Sequence, residues 1–348
     1  MSQPYDAVLI VSFGGPDARE DVIPFLENVL RGRNVPRERM LEVAEHYYEF
    51  GGRSPINDQN RALIAALETE LAAHGPNLPI YWGNRNWHPL LTDTLREMAE
   101  HGVRRTLAFV TSAYGSYSGC RQYREDIAAA QAQVGAHAPQ VDKLRAFFNH
   151  PGFIEPMIDN VRAALDQIPA ERRDAAKLIF TAHSIPQSMA DTSKYEIQLR
   201  EASRLVAEGA AHTDHSLVYQ SRSGPPQQPW LEPDVCDFIE SMHQQSPISD
   251  VVIVPIGFIS DHMEVIFDLD TEARHKCESL GINMVRAATV GTQPRFIQMI
   301  RELIEERLDP SVPRLTLGDL GPSLDACPID CCKYTPGGRP KSDAQHSQ

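Results

Sequence analysis

The feature of this chain that most restricts its fold is an apolar run with no polar interruption, Val251, Val252, Ile253 and Val254, continued by Pro255 and Ile256. A strand with one wet face alternates apolar and polar residues. An unbroken β-branched run belongs to a strand covered on both faces, the interior of a parallel sheet flanked by helices. Comparable runs stand at residues 7–13 (AVLIVSF) and 177–182 (KLIFTA). Shorter strand signals occur at 78–82, 106–111 and 216–220. Helical periodicity fills the intervals, at 22–30, 36–50, 61–73, 90–101, 120–134, 153–165, 195–209, 233–243 and 294–308. This alternation predicts an α/β fold with parallel, doubly wound sheets and right-handed crossovers. The pattern runs through two rounds in 348 residues, and a domain usually takes about 100–200 residues. Two similar domains with a cleft between them are therefore expected, over 1–150 and 151–310. A cysteine-bearing tail follows over 311–348, and its composition from Gly337 onward reads as disordered.

Charge and segment content narrow the partners. The chain carries 33 Lys and Arg against 47 Asp and Glu, a formal charge of −14, which argues against a phosphate-backbone ligand. No stretch approaches the ~20 apolar residues of a membrane span. The N-terminus runs into a strand without a basic region or cleavage site, so the mature protein is expected to begin near Met1 and to stay in the cytoplasm.

Immediately after the 251–256 strand comes GFISDHMEVIFDLDTE. Ligands of such sheets are held beyond the C-terminal ends of the strands, which places His262 and Glu264 where chemistry is expected. Ser260 or Asp261 is expected to cap the helix that begins there. Along it, Glu264, Asp268 and Glu272 recur at i, i+4 and i+8, a row of carboxylates on one helix face. An acidic row is ordinarily a solvated face. Here Met263, Val265, Ile266, Phe267 and Leu269 leave little room for full exposure, and a partly buried row is costly unless cations pass along it.

Three other groups of residues stand out. His183 closes the strand of KLIFTAHSIP; a lone histidine there can be structural, but its loop should converge with that of Glu264, and imidazole is a good metal ligand and proton acceptor. No Gly-x-Ser-x-Gly elbow accompanies it, which removes a serine hydrolase. The loop YQSRSGPPQQPW offers Arg222 for a carboxylate and Trp230 as a planar wall, features suited to a flat anionic ligand. The six cysteines of a cytosolic chain are thiols or metal ligands; Cys236 and Cys277 fall in helices as core residues. Cys327, Cys331 and Cys332 lie in a tail too polar to fold unaided. A zinc or iron–sulfur tie needs a fourth ligand, for which Cys120 is the best candidate.

Taken together, SFGGP (12–16), RGR (31–33), GGRSPIN (51–57), FTAHSIP (180–186), YQSRSGPPQQPWLEPDV (219–235) and PIGFISDHMEVIFDLD (255–270) resemble the ferrochelatase family, enzymes that insert ferrous iron into a porphyrin. The resemblance runs to about residue 308. It implies the chelatase fold, two similar Rossmann-like domains, each a four-stranded parallel sheet flanked by helices. It assigns catalysis and the metal to His183 and Glu264, with Asp268 and Glu272 in the acid row leading to them. His183 would accept pyrrole protons, and Glu264 would ligate the metal or relay protons. Ser54 and Tyr123 match porphyrin contacts, and the loop of Arg222 and Trp230 shapes the pocket. Phe13 stands where some relatives have a tyrosine as axial iron ligand. Leu30 stands where some have a propionate-binding arginine, leaving Arg31 as the neighbouring candidate. The Tyr-Ser-Gly-Cys stretch and the cysteine tail look like the actinobacterial branch, whose substrate is coproporphyrin III. Members of that branch often carry a two-iron two-sulfur cluster, which fits Cys120, Cys327, Cys331 and Cys332. The expectation is a lyase of haem biosynthesis that makes coprohaem from coproporphyrin III and Fe2+, with transient contact to neighbouring enzymes of the pathway. The rivals are insertion into protoporphyrin IX, insertion of cobalt or nickel into another tetrapyrrole, and a haem-binding chaperone without activity.

Overall fold

Two four-stranded sheets, every strand parallel to its neighbours, organise the molecule. The computed structural model describes residues 4–32 and 35–334; Arg33 of the RGR motif and the segment from Gly337 read as disordered lie outside the described residues. The first sheet has β1 (Ala7–Ser12), β2 (Ile80–Asn84), β3 (Arg105–Val110) and β4 (Gln140–Lys143) in the order β2-β1-β3-β4. The second has β5 (Lys177–His183), β6 (His215–Gln220), β7 (Asp250–Val254) and β8 (Asn283–Arg286) in the order β6-β5-β7-β8. The same winding therefore occurs twice. The central strands β1, β5 and β7 are the apolar runs of the sequence, and β1 and β7 are buried along their whole length.

The first half carries α1 (Val22–Leu30), α2 (Arg37–Glu49), α3 (Ile56–His74), α4 (Leu91–Glu100) and α5 (Gln122–Val134). The second carries α6 (Pro151–Leu165), the short α7 (Ala170–Arg173) and α8 (Gln187–Ala190), α9 (Tyr195–Gly209), α10 (Val235–Gln245), α11 (Met263–Val265), α12 (Arg274–Ser279) and α13 (Pro294–Leu308). Between α11 and α12 the helix widens into a π-helical segment, Ile266–Ala273. A second π-helical turn, Tyr117–Arg121, leads into α5.

One apolar cluster joins the two halves. It runs from Val8 and Phe109 of the first sheet through Phe147, Phe153 and Phe296 to Phe180 and Val254 of the second. α13 closes back on the first half, where Arg301 Nε donates to Glu70 of α3 at 2.8 Å. Nearby, Arg145 and Glu306 form an ion pair with contacts of 2.7 and 2.9 Å at side-chain exposures of 1% and 3%. The α1–α2 hairpin has a small core of its own, Val22, Phe25, Leu26, Met40 and Ala44. It reaches across to the second half, where His46 stacks on Phe267 of the π-helical segment at 3.8 Å and 11°.

Candidate active site

Adjacent central strands deliver the two residues singled out in the sequence. β5 ends on His183, and its neighbour β7 ends at Val254. The exit from β7 runs tightly against β5: a Cβ on Gly257 would stand 2.7 Å from the Cα of Ala182, so only glycine lets the two loops lie side by side. His183 Nε2 then comes to 3.5 Å from Glu264 Oε1. Neither Ser260 nor Asp261 supplies the expected cap. The His262 ring does so, its Nδ1 accepting from the Glu264 N–H at 3.2 Å, because His262 is the extended residue immediately before the first helical turn.

The imidazole of His183 is fixed from behind. Its Nδ1–H donates to the Ser184 carbonyl, and the Tyr195 hydroxyl donates to the His183 carbonyl at 3.0 Å. Nε2 is left facing Glu264. Recession into the cleft opposes charge on the ring, but the Glu264 carboxylate and the Ser184 carbonyl outweigh it and raise His183 to about 9. Burial likewise opposes charge on Glu264, and the imidazolium outweighs it, lowering the carboxyl to about 2. The free cleft therefore holds an imidazolium–carboxylate pair at neutral pH. Both groups remain reachable, at 32% and 46% exposure.

Asp268 lies one wide turn further on. Gln220 Nε2 donates to the Glu264 carbonyl at 2.9 Å and to Asp268 Oδ2 at 3.3 Å, and Ser221 Oγ donates to the same oxygen. Ser221 holds a left-handed backbone, φ 61°, a conformation uncommon outside glycine. Burial raises Asp268 to about 7 against the Ser221 hydrogen bond, with Glu264 and Glu272 adding to the rise. Glu272 is also raised, by burial first. The sequence suggested a row on an α-helical face. The π-helical widening turns the chain less per residue, which brings positions four apart closer to a straight line than 3.6 residues per turn allows. Among the described residues no three His, Cys, Asp or Glu side chains surround a common metal position; the acids form a row leading to a pair.

The residues matched to porphyrin contacts lie on the first half and on the Pro-rich loop. Phe13 is exposed beside Phe25, with ring centroids 6.3 Å apart. Tyr123 is buried, with the Arg85 guanidinium 4.6 Å over its ring and 5.7 Å from that of Phe13. Ser54 is buried behind Gly15, its N–H donating to the Pro16 carbonyl at 2.9 Å. Arg31 is exposed and donates to Asn28. Arg222 was expected to face a ligand carboxylate; here it braces its own loop, donating to Glu232 at 3.2 Å and to the carbonyls of Pro226 and Gln228. Trp230 packs flat on Gly224, where an added Cβ would stand 2.2 Å from the indole nitrogen. Sequence reading missed Arg85, Tyr47, Tyr195, Gln220 and Ser221. Tyr47 is pushed up by burial and by the nearby Glu264 charge. The YQS triplet preceding Arg222 was the one available signal for Gln220 and Ser221.

The thiols matched to a cluster lie near one another, but among the described residues no three of them surround a common metal position. Cys327 neighbours Cys120 as a thiol donor, and Cys331 Sγ is 3.4 Å from Cys332 Sγ. Lys143 Nζ lies 3.0 Å from Cys120 Sγ, and these donors pull the Cys120 thiol well below its ordinary value. Cys332 adopts a left-handed backbone, φ 53°. Cys277 is a core thiol, buried in the apolar cluster under β7, whereas Cys236 is only partly buried and packs against that cluster.

Comparison with known proteins follows the same lines. A family model described as Ferrochelatase matches residues 5–308. The chain is 59% identical to the ferrochelatase of Rhodopirellula baltica over 343 residues, covering 97% of each. It is 53% identical to the coproporphyrin III ferrochelatase of Streptomyces coelicolor, covering 95% of this chain and 94% of that one. It is 52% identical to the protein of the same description from Nocardia farcinica, covering 94% and 96%. Among solved structures, SirB from Bacillus subtilis with Fe3+ superposes with a TM-score of 0.55 at 10% identity, over 89% of this chain and 98% of that one. That last likeness concerns the fold.

Proposed function

This chain belongs to the ferrochelatase family, and from that membership we propose that it inserts ferrous iron into coproporphyrin III at the His183–Glu264 pair. The observation that carries the reading is the 3.5 Å approach of these side chains where two central strands end, with Asp268 and Glu272 continuing outward. Members of the family are metal chelatases, a class of lyase. The choice of coproporphyrin III is supported by the relatives described as acting on it. Among the described residues no helix is long and apolar enough to cross a membrane, which suits a porphyrin with four propionates that is delivered from water. Six free thiols support a reducing, cytoplasmic compartment.

The charge state of the pair sets the order of events. His183 carries a proton in the free cleft, so it accepts none from a pyrrole until its own has left. An iron ion moving inward past Glu272 and Asp268 repels that proton. Asp268, titrating near neutrality, takes it and releases it to solvent. Neutral His183, with Glu264 beside it, then receives the pyrrole protons as the two N–H bonds break. Two protons leave for each Fe2+ that enters, and the iron stays ferrous throughout. Phe13, Tyr123 and Trp230 line the aromatic side of the proposed porphyrin site, with Ser54 behind the 12–16 turn and Arg31 and Arg222 at its rim.

The resemblance supports a two-iron two-sulfur cluster on Cys120, Cys327, Cys331 and Cys332: Lys143 lies beside Cys120 and the Sγ atoms of Cys331 and Cys332 are 3.4 Å apart, although among the described residues no three of these thiols surround one metal position. When bound, such a cluster supplies metal–thiolate bonds that fasten the tail to the first half. It takes no part in insertion, for which His183 and Glu264 suffice.

The test is substitution of the pair. His183→Ala and Glu264→Gln should each lower insertion by ~10²–10⁴-fold, the usual worth of a general acid–base group. Porphyrin binding, followed by fluorescence, should persist in both. Near-wild-type turnover in either variant removes that residue from the reaction. Porphyrin binding by the unaltered protein without metal-dependent loss of fluorescence would leave a binding protein in place of an enzyme.

A further inference from the structure

The helix that carries Glu264 is anchored from behind by a residue of the sheet edge. Arg286 ends β8 and is only 16% exposed. Its Nη1 and Nη2 donate to the two carboxylate oxygens of Asp261, each at 3.2 Å, and its Nε donates to Asp270 Oδ1 at 2.6 Å. Asp261 also accepts from Thr289 Oγ1 at 3.3 Å, and its N–H donates to Gln59 Oε1 of α3 at 2.8 Å. Asp261 immediately precedes His262, and Asp270 lies in the π-helical segment between Asp268 and Glu272. One guanidinium thus grips the chain on both sides of Glu264 and Asp268.

The segment has reason to need such a grip. Asp261, Glu264, Asp268, Asp270 and Glu272 crowd five carboxyl groups into residues 261–272, and a π-helical run is less favourable than an α-helix. Arg286 offsets two of these acids, Asp261 and Asp270, and only its forked, planar head can meet one carboxylate bidentately and a second through Nε. Arg274 stands further off, 4.0 Å from Asp270. We infer that Arg286 is a positioning residue for metal insertion, holding Glu264 and Asp268 in the register at which a divalent cation meets them. This rests on the metal-insertion reading of the cleft.

The experiment compares wild type, Arg286→Met, Arg286→Lys and Asp270→Asn. Each is measured by calorimetric titration of the porphyrin-free protein with cobalt(II), by separate KM values for ferrous iron and for coproporphyrin III, and by thermal melting. Loss of an outer anchor typically lowers metal affinity by roughly 10–100-fold, so Arg286→Met should weaken cobalt binding to that extent and raise KM for iron, with KM for the porphyrin unchanged. Lysine should not restore either value, because one ammonium cannot span both acids. Asp270→Asn, which keeps the Asp261 contact, should shift both values the same way by less, and it carries the test if the methionine variant fails to fold. Unchanged cobalt affinity in Arg286→Met, or an equal rise in both KM values, would overturn the positioning role while leaving the cleft's function intact. A wild-type protein that takes up no cobalt would overturn the metal site and the role of Arg286 together.

Discussion

His183 and Glu264 stabilise each other's charge across 3.5 Å, and that mutual dependence makes the pair sensitive to pH. The folded protein holds the His183 proton to about pH 9, above the ordinary value near 6.5. Its favourable contribution to folding is therefore complete below about pH 6.5 and is lost as pH rises through about 9. Cation binding has the opposite sign, since the incoming metal competes with that proton. Apparent affinity for iron should accordingly rise with pH between about 6 and 9. Glu264→Gln removes the charge that sustains the proton, so the His183 resonance should titrate well below its wild-type midpoint in NMR. A midpoint still near 9 in that variant would show the ring to be held by some other group. The sequence made His183 visible as a histidine closing an apolar strand. Its protonation was not legible there, because it arises from Glu264, 81 residues away in the chain.

At the scale of elements, legibility followed apolar content. The run at β7, the KLIFTA of β5 and the AVLIVS of β1 announce buried strands, and α9 and α13 were placed to the residue by periodicity. β4 (QVDK) and β8 (NMVR) were not seen, because four-residue edge strands with polar residues carry no run and little alternation. Only the resemblance supplied the fourth strand of each sheet. The π-helical segment was equally hidden: α and π turns have the same composition, and the widening follows from packing. The loop before Trp230 was legible as rigid from its prolines, though the reason for Gly224 was not. A Cβ there would meet the indole at 2.2 Å, and such overpacking costs about 1–3 kcal/mol. Gly224→Ala should displace Trp230, shift its fluorescence and raise KM for the porphyrin, with KM for iron unaffected. An unaltered emission spectrum together with an unaltered porphyrin KM would separate Trp230 from the pocket.

Across the whole molecule the tail acts as a strap. Arg121 donates to the carbonyls of Ile329 and Cys331 at 2.9 Å, Asn149 to those of Leu317 and Gly321, and Arg145 to that of Leu315. Tyr334 packs on Tyr117 at 5.6 Å and accepts from Gln228 of the Pro-rich loop at 3.3 Å. The composition of the tail predicts that it cannot fold unaided and that a metal tie would account for any order there; among the described residues, arginines and an asparagine of the first half hold it. A cluster would add to that hold. Protein purified without oxygen is expected to be brown, with roughly two irons and two sulfides per chain. Cys120→Ser should lose the colour and speed hydrogen exchange over residues 311–334. Colourless, iron-free protein with an equally protected tail would make the thiols bystanders. The strap, the two sheets and the shared apolar core leave the cleft as the proposed meeting place of substrate and acid row. The most direct measurement is the anaerobic rate of ferrous iron insertion into coproporphyrin III and into protoporphyrin IX, side by side, with the same enzyme. A clear preference for coproporphyrin III is the expected result; equal or faster turnover of protoporphyrin IX would contradict the assignment.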